Sequence, residues 1–131
     1  MERAQPRPTP FSGRLRNEVN RVLLSTDLWV GALIRRAEIG GAFATVARKG
    51  DPRAGAVLVK VVDRLSGVTR LYSEATRGDG ERIWMQPVSS TEEPDLDAYV
   101  ERQLRFDPDL WVVEIEDREG RHFLTEAVEK R

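Results

Sequence analysis

The chain has 131 residues and a formal net charge of -1 at pH 7, with 40% hydrophobic and 33% charged residues. This length predicts a single domain, and the composition is that of neither a disordered nor a membrane protein. The nearly neutral charge excludes a strong general attraction to nucleic acid or anionic membranes, and the absence of cysteine excludes disulfides, thiolate nucleophiles and cysteine-ligated zinc.

The two ends of the chain are expected to lie outside the folded core. Residues 1–13 are rich in proline and predict a flexible tail. Residues 14–26 carry apolar side chains at the spacing of a short amphipathic helix, which either packs on the domain or docks a partner. Residues 27–125 are expected to form the domain, and residues 126–131 a charged C-terminal tail. No apolar run has the length of a signal peptide or a membrane span, which predicts a cytoplasmic location.

The domain is predicted to begin with an amphipathic helix. Ser25, Thr26 and Asp27 supply an N-cap, and Gly40 with Gly41 supplies a stop. Between them, apolar residues recur at helical spacing, at Trp29, Val30, Leu33, Ile34 and Ala37.

The apolar period changes to two residues at Ala42, which is typical of β-strands. Four strands are predicted, at residues 42–48, 56–63, 68–74 and 82–86. Because short turns separate them, they are expected to form an antiparallel meander. The second strand is apolar on both of its faces, which predicts a central position.

A second helix is predicted between Thr91 and Pro108, followed by a strand at residues 110–117 and a final hairpin strand at 121–124. This order predicts an α+β two-layer sandwich, with two principal helices on one face of a mainly antiparallel sheet of about five to six strands. On the less apolar sheet face, cross-strand ion pairs are expected among Lys60, Arg70, Glu114 and Glu116.

Three segments of the chain resemble a known family. They are DLWVGALIRRAE, RKGDPRAGAVLVKV and RFDPDLWVVEIEDREGRHFL. Together they are similar to a family of short alphaproteobacterial proteins catalogued as domain of unknown function fourteen ninety-one, and the resemblance covers residues 27–124. The segment before Asp27 is longer than the family leads us to expect. The resemblance brings no active site with it, so the function stays open.

A basic turn is the first candidate binding site. It presents three cations and one acid between two predicted strands, and it either binds an anion or is a plain turn in which Asp51 accepts backbone hydrogen bonds. Two arginines near the end of the first helix are expected on the same edge, and Trp84 is expected to be exposed and able to stack. The candidate binding residues for an anion or a partner are Arg35, Arg36, Arg48, Lys49, Asp51, Arg53 and Trp84.

No residue is assigned a catalytic role. Asp107 is expected to end the second helix and Asp109 to bond turn amides, since a hard cation needs more oxygen ligands at regular spacing. His122 is the only histidine, and it has no orienting partner that would suit catalysis. The sequence therefore predicts no metal site and no cofactor.

Charge is divided unevenly along the chain. Residues 1–91 carry 15 Lys and Arg against 9 Asp and Glu, whereas residues 92–131 carry 6 against 13. Our first hypothesis is a small non-enzymatic protein-interaction module of the bacterial cytoplasm. It has an unidentified protein partner and no membrane contact, and a homo-oligomer is compatible with it. The alternatives are a nucleic-acid-binding protein with an arginine-rich surface, and a small enzyme or binder of an anionic metabolite with Asp51 or Glu114 as acid or base.

Overall fold

The computed structural model describes residues 24–76 and 78–129. In this part of the chain, helices α1 and α2 span Thr26–Ile39 and Glu93–Phe106. The strands are β1 Phe43–Arg48, β2 Val57–Val62, β3 Thr69–Thr76, β4 Arg82–Met85, β5 Trp111–Glu116 and β6 Val128–Glu129. Both helices and strands β1 to β5 lie close to their predicted positions. Most of the helix predicted over residues 14–26 falls outside the described residues.

The first turn of α1 is capped by carbonyls of a loop and by the Asp27 carboxylate, which accepts a hydrogen bond from the Leu28 amide at 2.8 Å. The amides of Thr26 and Asp27 donate to the carbonyls of Arg53 and Pro52, at 3.1 and 2.9 Å. The Ser25 hydroxyl donates to the Asp27 carboxylate at 2.6 Å and caps no backbone amide. Neither described helix has the length and apolar character that crossing a membrane requires.

The six described strands form one mixed sheet in the order β1-β5-β2-β3-β4-β6. The pairs β2–β5 and β4–β6 are parallel, and the other three pairs are antiparallel. The predicted α+β class, with two helices and a mostly antiparallel sheet, is confirmed. The hairpins β2–β3 and β3–β4 are also those predicted, but the predicted pairing of β1 with β2 is wrong, because β5 lies between these strands.

The loop over residues 49–56 passes across the start of β5 to join β1 to β2. The Asp51 amide donates to the Asp109 carbonyl at 2.9 Å. Gly50 and Gly55 approach this backbone so closely that a Cβ on either would overlap the Asp109 carbonyl oxygen. We call this segment the crossing loop; it joins two strands that are not neighbours, unlike the hairpin turn that the predicted meander requires.

The helices lie on opposite faces of the sheet. Trp29 and Leu33 of α1 pack with Val59 on one face, whereas Leu96 of α2 packs with Leu58 on the other. The expectation that both helices cover one face is wrong, and the sheet is the middle of three layers. The reason lies in β2, in which all six residues are buried, so that both of its faces need cover.

After β5 the chain crosses the α1 face of the sheet to reach the opposite edge, where β6 pairs with β4. The predicted strand at 121–124 is wrong: Phe123 has a φ of 60°, a left-handed conformation that strand residues do not adopt. Glu126 is buried and accepts a hydrogen bond from Trp84 Nε1 at 3.1 Å. Residues 126–129, for which the sequence predicts a tail, are therefore packed on the domain.

Candidate functional site

A groove of about 570 Å³ lies on the α2 face of the sheet, between α2 and the edge strand β1. Four of its lining residues share one face of α2, namely Asp97, Val100, Glu101 and Leu104. The others come from β2, from β5 and from the end of β1, namely Lys60, Val112, Glu114, Ala47, Arg48 and Lys49. Since α2 packs over β2 and β3, the α2 face of β1 is left uncovered.

An irregularity in β1 places a basic side chain at the groove. The pairing of β1 with β5 shifts after Val46: Val46 lies opposite Val113 and Arg48 lies opposite Val112, so that Ala47 is an extra residue in β1. Such a β-bulge re-aims the side chains that it carries. Arg48 is exposed and donates from Nη2 to the Pro108 carbonyl at 3.1 Å. This end of the groove is therefore positively charged.

Lys60 occupies the opposite end of the groove, with a side chain that is 11% exposed. Its Nζ lies 2.7 Å from Glu93 Oε2, 2.7 Å from Asp97 Oδ1 and 3.3 Å from Glu114 Oε2. The predicted cross-strand pair is confirmed, because β2 and β5 place Lys60 beside Glu114. The prediction that Arg70 belongs to the same group is wrong, because Arg70 projects from the α1 face of the sheet.

The carboxylates around Lys60 determine its protonation. Burial opposes the charge of the ammonium, but hydrogen bonds to Asp97 and Glu93 outweigh burial and raise the pKa of Lys60. The hydrogen bond from Lys60 in turn holds the pKa of Glu93 below its ordinary value. Lys60 therefore stays protonated at neutral pH, and a protonated amine is neither a nucleophile nor a general base.

Arg64, in the turn after β2, extends this network. Its guanidinium lies 3.1 Å from Glu93 Oε1, 3.1 Å from Glu116 Oε2 and 3.6 Å from Glu114 Oε2. Within the described network, the two cations Lys60 and Arg64 thus meet four carboxylates, which leaves an excess of negative charge. The groove has a positive end and a negative end, and apolar side chains lie between them, at Val100, Leu104 and Val112.

The structure separates the candidate binding residues. Arg48 and Lys49 line the groove. Arg53 lies in the crossing loop, beside the first turn of α1. Arg35 and Arg36 lie near the other end of α1, about 15 Å away along a helix that rises 1.5 Å per residue. These arginines therefore do not form one anion-binding cluster.

Asp51 holds the crossing loop together. Its Oδ2 accepts hydrogen bonds from the amides of Ala54 and Arg53, at 2.8 and 3.3 Å. Its carbonyl accepts a hydrogen bond from Trp111 Nε1 at 2.7 Å. Asp51 thus accepts backbone hydrogen bonds within this segment, as the interpretation of the segment as a turn predicts.

Trp84 is 1% exposed and stacks on Trp29, with 5.4 Å between the ring centroids. The prediction that Trp84 is exposed is wrong, because β6 covers the outer side of β4 and the indole enters the core beneath α1. Arg36 donates from Nε to the Phe123 carbonyl at 3.0 Å. That guanidinium therefore fastens the C-terminal segment to α1.

Asp107 and His122 make local structural contacts. The amide of Asp109 donates to the Asp107 carboxylate at 3.1 Å, so the turn acceptor is Asp107 and not Asp109 as predicted. His122 Nδ1 accepts a hydrogen bond from the Leu124 amide at 2.9 Å, and its ring meets Tyr72 edge-on at 5.0 Å. Among the residues that the structure describes, no group of three or more His, Cys, Asp or Glu could hold a metal ion.

Sequence reasoning missed the groove as a whole, because its walls come from parts of the chain that are distant in sequence. One signal for it was nevertheless present. Lys60 is the only charged residue in β2, whose residues are all buried. A charge in a buried strand needs partners of opposite charge, so Lys60 itself indicates carboxylates nearby in the fold.

Comparison with known proteins agrees with the resemblance seen in the sequence. Residues 24–125 match the family described as "Protein of unknown function (DUF1491)". The chain belongs to this family. A crystal structure of a DUF1491 family protein from Caulobacter crescentus is 81% identical to it, with a TM-score of 0.79; the match covers 81% of this chain and 99% of that chain.

Two solution structures are also similar to this DUF1491 protein. An NMR structure of a DUF1491 family protein from Caulobacter crescentus is 81% identical, with a TM-score of 0.76, over 82% of this chain and 97% of that chain. The structure of protein Atu0922 from A. tumefaciens is 37% identical, with a TM-score of 0.69, over 81% of this chain and 96% of that chain. No curated protein matches the chain.

Proposed function

We propose that this DUF1491 protein is a small, non-enzymatic protein-interaction module of the bacterial cytoplasm, and that its groove binds a segment of a partner protein. The observation that carries the proposal is the distribution of polarity in the groove, where Val100, Leu104 and Val112 lie between a positive and a negative end. Protein interfaces combine an apolar centre with a polar rim in the same way. A chain without cysteine suits the reducing cytoplasm.

The contacts of the candidate acids favour binding over catalysis. Glu114 is ion-paired with Lys60 and lies 3.6 Å from Arg64. Asp51 accepts backbone hydrogen bonds within the crossing loop. A carboxylate that already accepts these bonds is poorly placed to exchange a proton with a metabolite. This supports a non-enzymatic module over a small enzyme.

The contacts also favour a protein over a nucleic acid. The cations considered for phosphate binding lie in three places, with Arg53 at one end of α1, Arg35 and Arg36 near the other, and Arg48 and Lys49 in the groove. Trp84 is buried against Trp29. Binding to nucleic acid relies on a continuous basic surface, with exposed aromatic rings where bases stack. No contact among the described residues assembles such a surface.

The proposal is tested by capturing proteins from a Caulobacter crescentus lysate with the tagged full chain, with and without nuclease. The groove variant carries Arg48→Glu and Lys49→Glu, and the control carries Arg105→Glu and Arg118→Glu, two exposed arginines outside the groove. We expect one protein to be captured equally by the wild type and the control despite nuclease, and about tenfold less by the groove variant. Equal capture by both variants, or capture that is lost with nuclease, would contradict the proposal.

A further inference from the structure

The strand β1 forms an edge of the sheet: β5 pairs with one side of it, and no described strand pairs with the other. Soluble proteins usually protect an edge with charges, proline or short length. β6, at the opposite edge, is two residues long. β1 is six residues long and carries neither charge nor proline before Arg48, so within the part of the chain that the structure describes no such feature protects it from pairing with another strand.

The side chains along this edge are apolar or small, and most of them are exposed. Phe43 is 65% exposed and Val46 is 40% exposed. The pairing with β5 and the lining of the groove divide the strand between the two faces of the sheet. Phe43, Thr45 and Ala47 belong to the α2 face, and Ala44 and Val46 belong to the α1 face.

We propose that a second copy of this chain pairs with β1 in antiparallel orientation, about a two-fold axis at Thr45. Residues that lie directly opposite in an antiparallel pair share a face of the sheet. In this register, Phe43 lies opposite Ala47 of the second copy, and Ala44 lies opposite Val46. Each large apolar side chain therefore meets an alanine in both directions, which is the self-complementarity that a two-fold interface needs.

The neighbouring registers lack this match. An axis at Ala44 would place Phe43 opposite Thr45, and an axis at Val46 would leave Phe43 beyond the paired residues. Shifting the paired strands by one residue would place residues from opposite faces of the two sheets directly opposite each other. Directly opposite residues in an antiparallel pair share a face, so this register is not possible. The pattern of β1 thus selects the axis at Thr45.

Charge supports the same register. It places Arg48 beside Phe43 of the second copy, and β5 places Glu116 next to Phe43 on the same face. Glu116 belongs to the network around Lys60 and Arg64, in which carboxylates outnumber cations. The second copy therefore supplies a cation about two strand spacings, or about 10 Å, from this excess of negative charge, within reach of two long side chains.

The dimer would complete the groove. Because the two-fold axis is perpendicular to the sheet, both α2 helices lie on the same side of it. The β5 and β1 strands of the two copies form one continuous floor, and the two grooves, each open toward β1, become a single cleft walled by two α2 helices. The role of this cleft in holding a partner segment rests on the proposed function, whereas the pairing of the strands does not.

The first test measures mass by sedimentation equilibrium on the full chain of 14.9 kDa. Since one pair of short strands makes a small interface, association is expected in the range of about 10 to 100 µM, and the samples should reach about 500 µM. Phe43→Lys is expected to weaken association at least about tenfold. Phe106→Lys, a matched change at a side chain that is 84% exposed on α2, should leave it unaltered.

The second test reads the register directly. The chain has no cysteine, so Thr45→Cys introduces a single thiol, which the two-fold axis places opposite its copy. Under a mild oxidant we expect a covalent dimer to form much faster than with Ala98→Cys, an exposed position on α2. Association without selective crosslinking at Thr45 overturns the register, and a mass of 14.9 kDa at all concentrations overturns the dimer.

These outcomes separate the two proposals. A monomer that still captures a protein through Arg48 and Lys49 overturns the dimer and keeps the interaction module. A dimer whose protein capture is indifferent to the groove variant overturns the proposed function and keeps the strand pairing.

Discussion

Lys60 is the side chain on which the polar part of the α2 face depends. It is 11% exposed, whereas the side chains of its partners Glu93, Asp97 and Glu114 are 30%, 54% and 24% exposed. The ammonium is thus the buried member of the group, and the carboxylates reach it from α2 and β5. Through this contact one residue of β2 links a helix and two strands at the negative end of the groove.

Lys60→Met is expected to lower the free energy of unfolding by about 1 to 3 kcal/mol at pH 7, because it leaves gathered carboxylates without their cation. The loss should shrink below pH 4.5, the ordinary pKa of Glu93, because the stability that its lowered folded pKa contributes is complete above pH 4.5 and is lost as pH falls toward the folded pKa. Urea unfolding at pH 7 and pH 4 measures both effects. Lys60→Arg keeps the charge and serves as the control; an equal loss in both variants would assign the effect to packing.

At the scale of elements, the crossing loop determines which strands become neighbours. It carries the chain from β1 over the start of β5 and delivers it to β2, so that β5 can enter between the two strands. The same loop supplies the carbonyls that cap α1. One short segment thus connects the strand order to the position of the helix.

Gly50→Ala and Gly55→Ala are each expected to lower the free energy of unfolding by about 1 to 3 kcal/mol, because the added methyl group overlaps the Asp109 carbonyl and must displace the loop. Gly78→Ala is the matched control, since a Cβ there meets no atom within 4 Å. Thermal and urea unfolding of the three variants compare them. If Gly78→Ala is as destabilising as the other two, the close approach is not the cause.

At the scale of the whole molecule, the three layers are closed by the C-terminal segment. Phe123, Leu124 and Val128 add to the α1 core, and Glu126 receives the indole N–H of Trp84. This segment leads from β5, next to one edge strand, to β6 at the opposite edge of the sheet, and it is the last described part of the chain. The stability of the α1 face therefore depends on residues at the far end of the chain.

A chain that ends at Thr125 is expected to melt about 5 to 15 °C lower than the full chain, because it loses the packing of Val128, the Trp84 hydrogen bond and the β4–β6 pairing. Tryptophan emission should also shift to longer wavelength as Trp84 gains contact with water. Removal of residues 130–131 alone is the control. Unchanged melting of the shorter chain would show that the C-terminal segment contributes no stability.

The parts of the fold that were predicted correctly are local. Helical spacing located α1 and α2, and alternation located β1 to β5. The turns at Gly67 and Gly80, which have φ values of 81° and 88°, allowed the two real hairpins to be recognised. In the candidate site, Arg48, Lys49 and the pair Lys60–Glu114 were identified from residue type and strand pattern.

The sequence by itself thus determined the helices, the strands, the hairpins and the family, because these follow from spacing and composition within short stretches. Only the tertiary structure decided that β5 inserts beside β2, that the helices take opposite faces and that Trp84 is buried. The groove belongs to the same class, since α2, β5 and β1 meet only after the sheet is ordered. The physical reason is that the order of the strands, and the face of the sheet that each helix covers, depend on the apolar area buried by the whole chain. A local sequence pattern carries no information on that total.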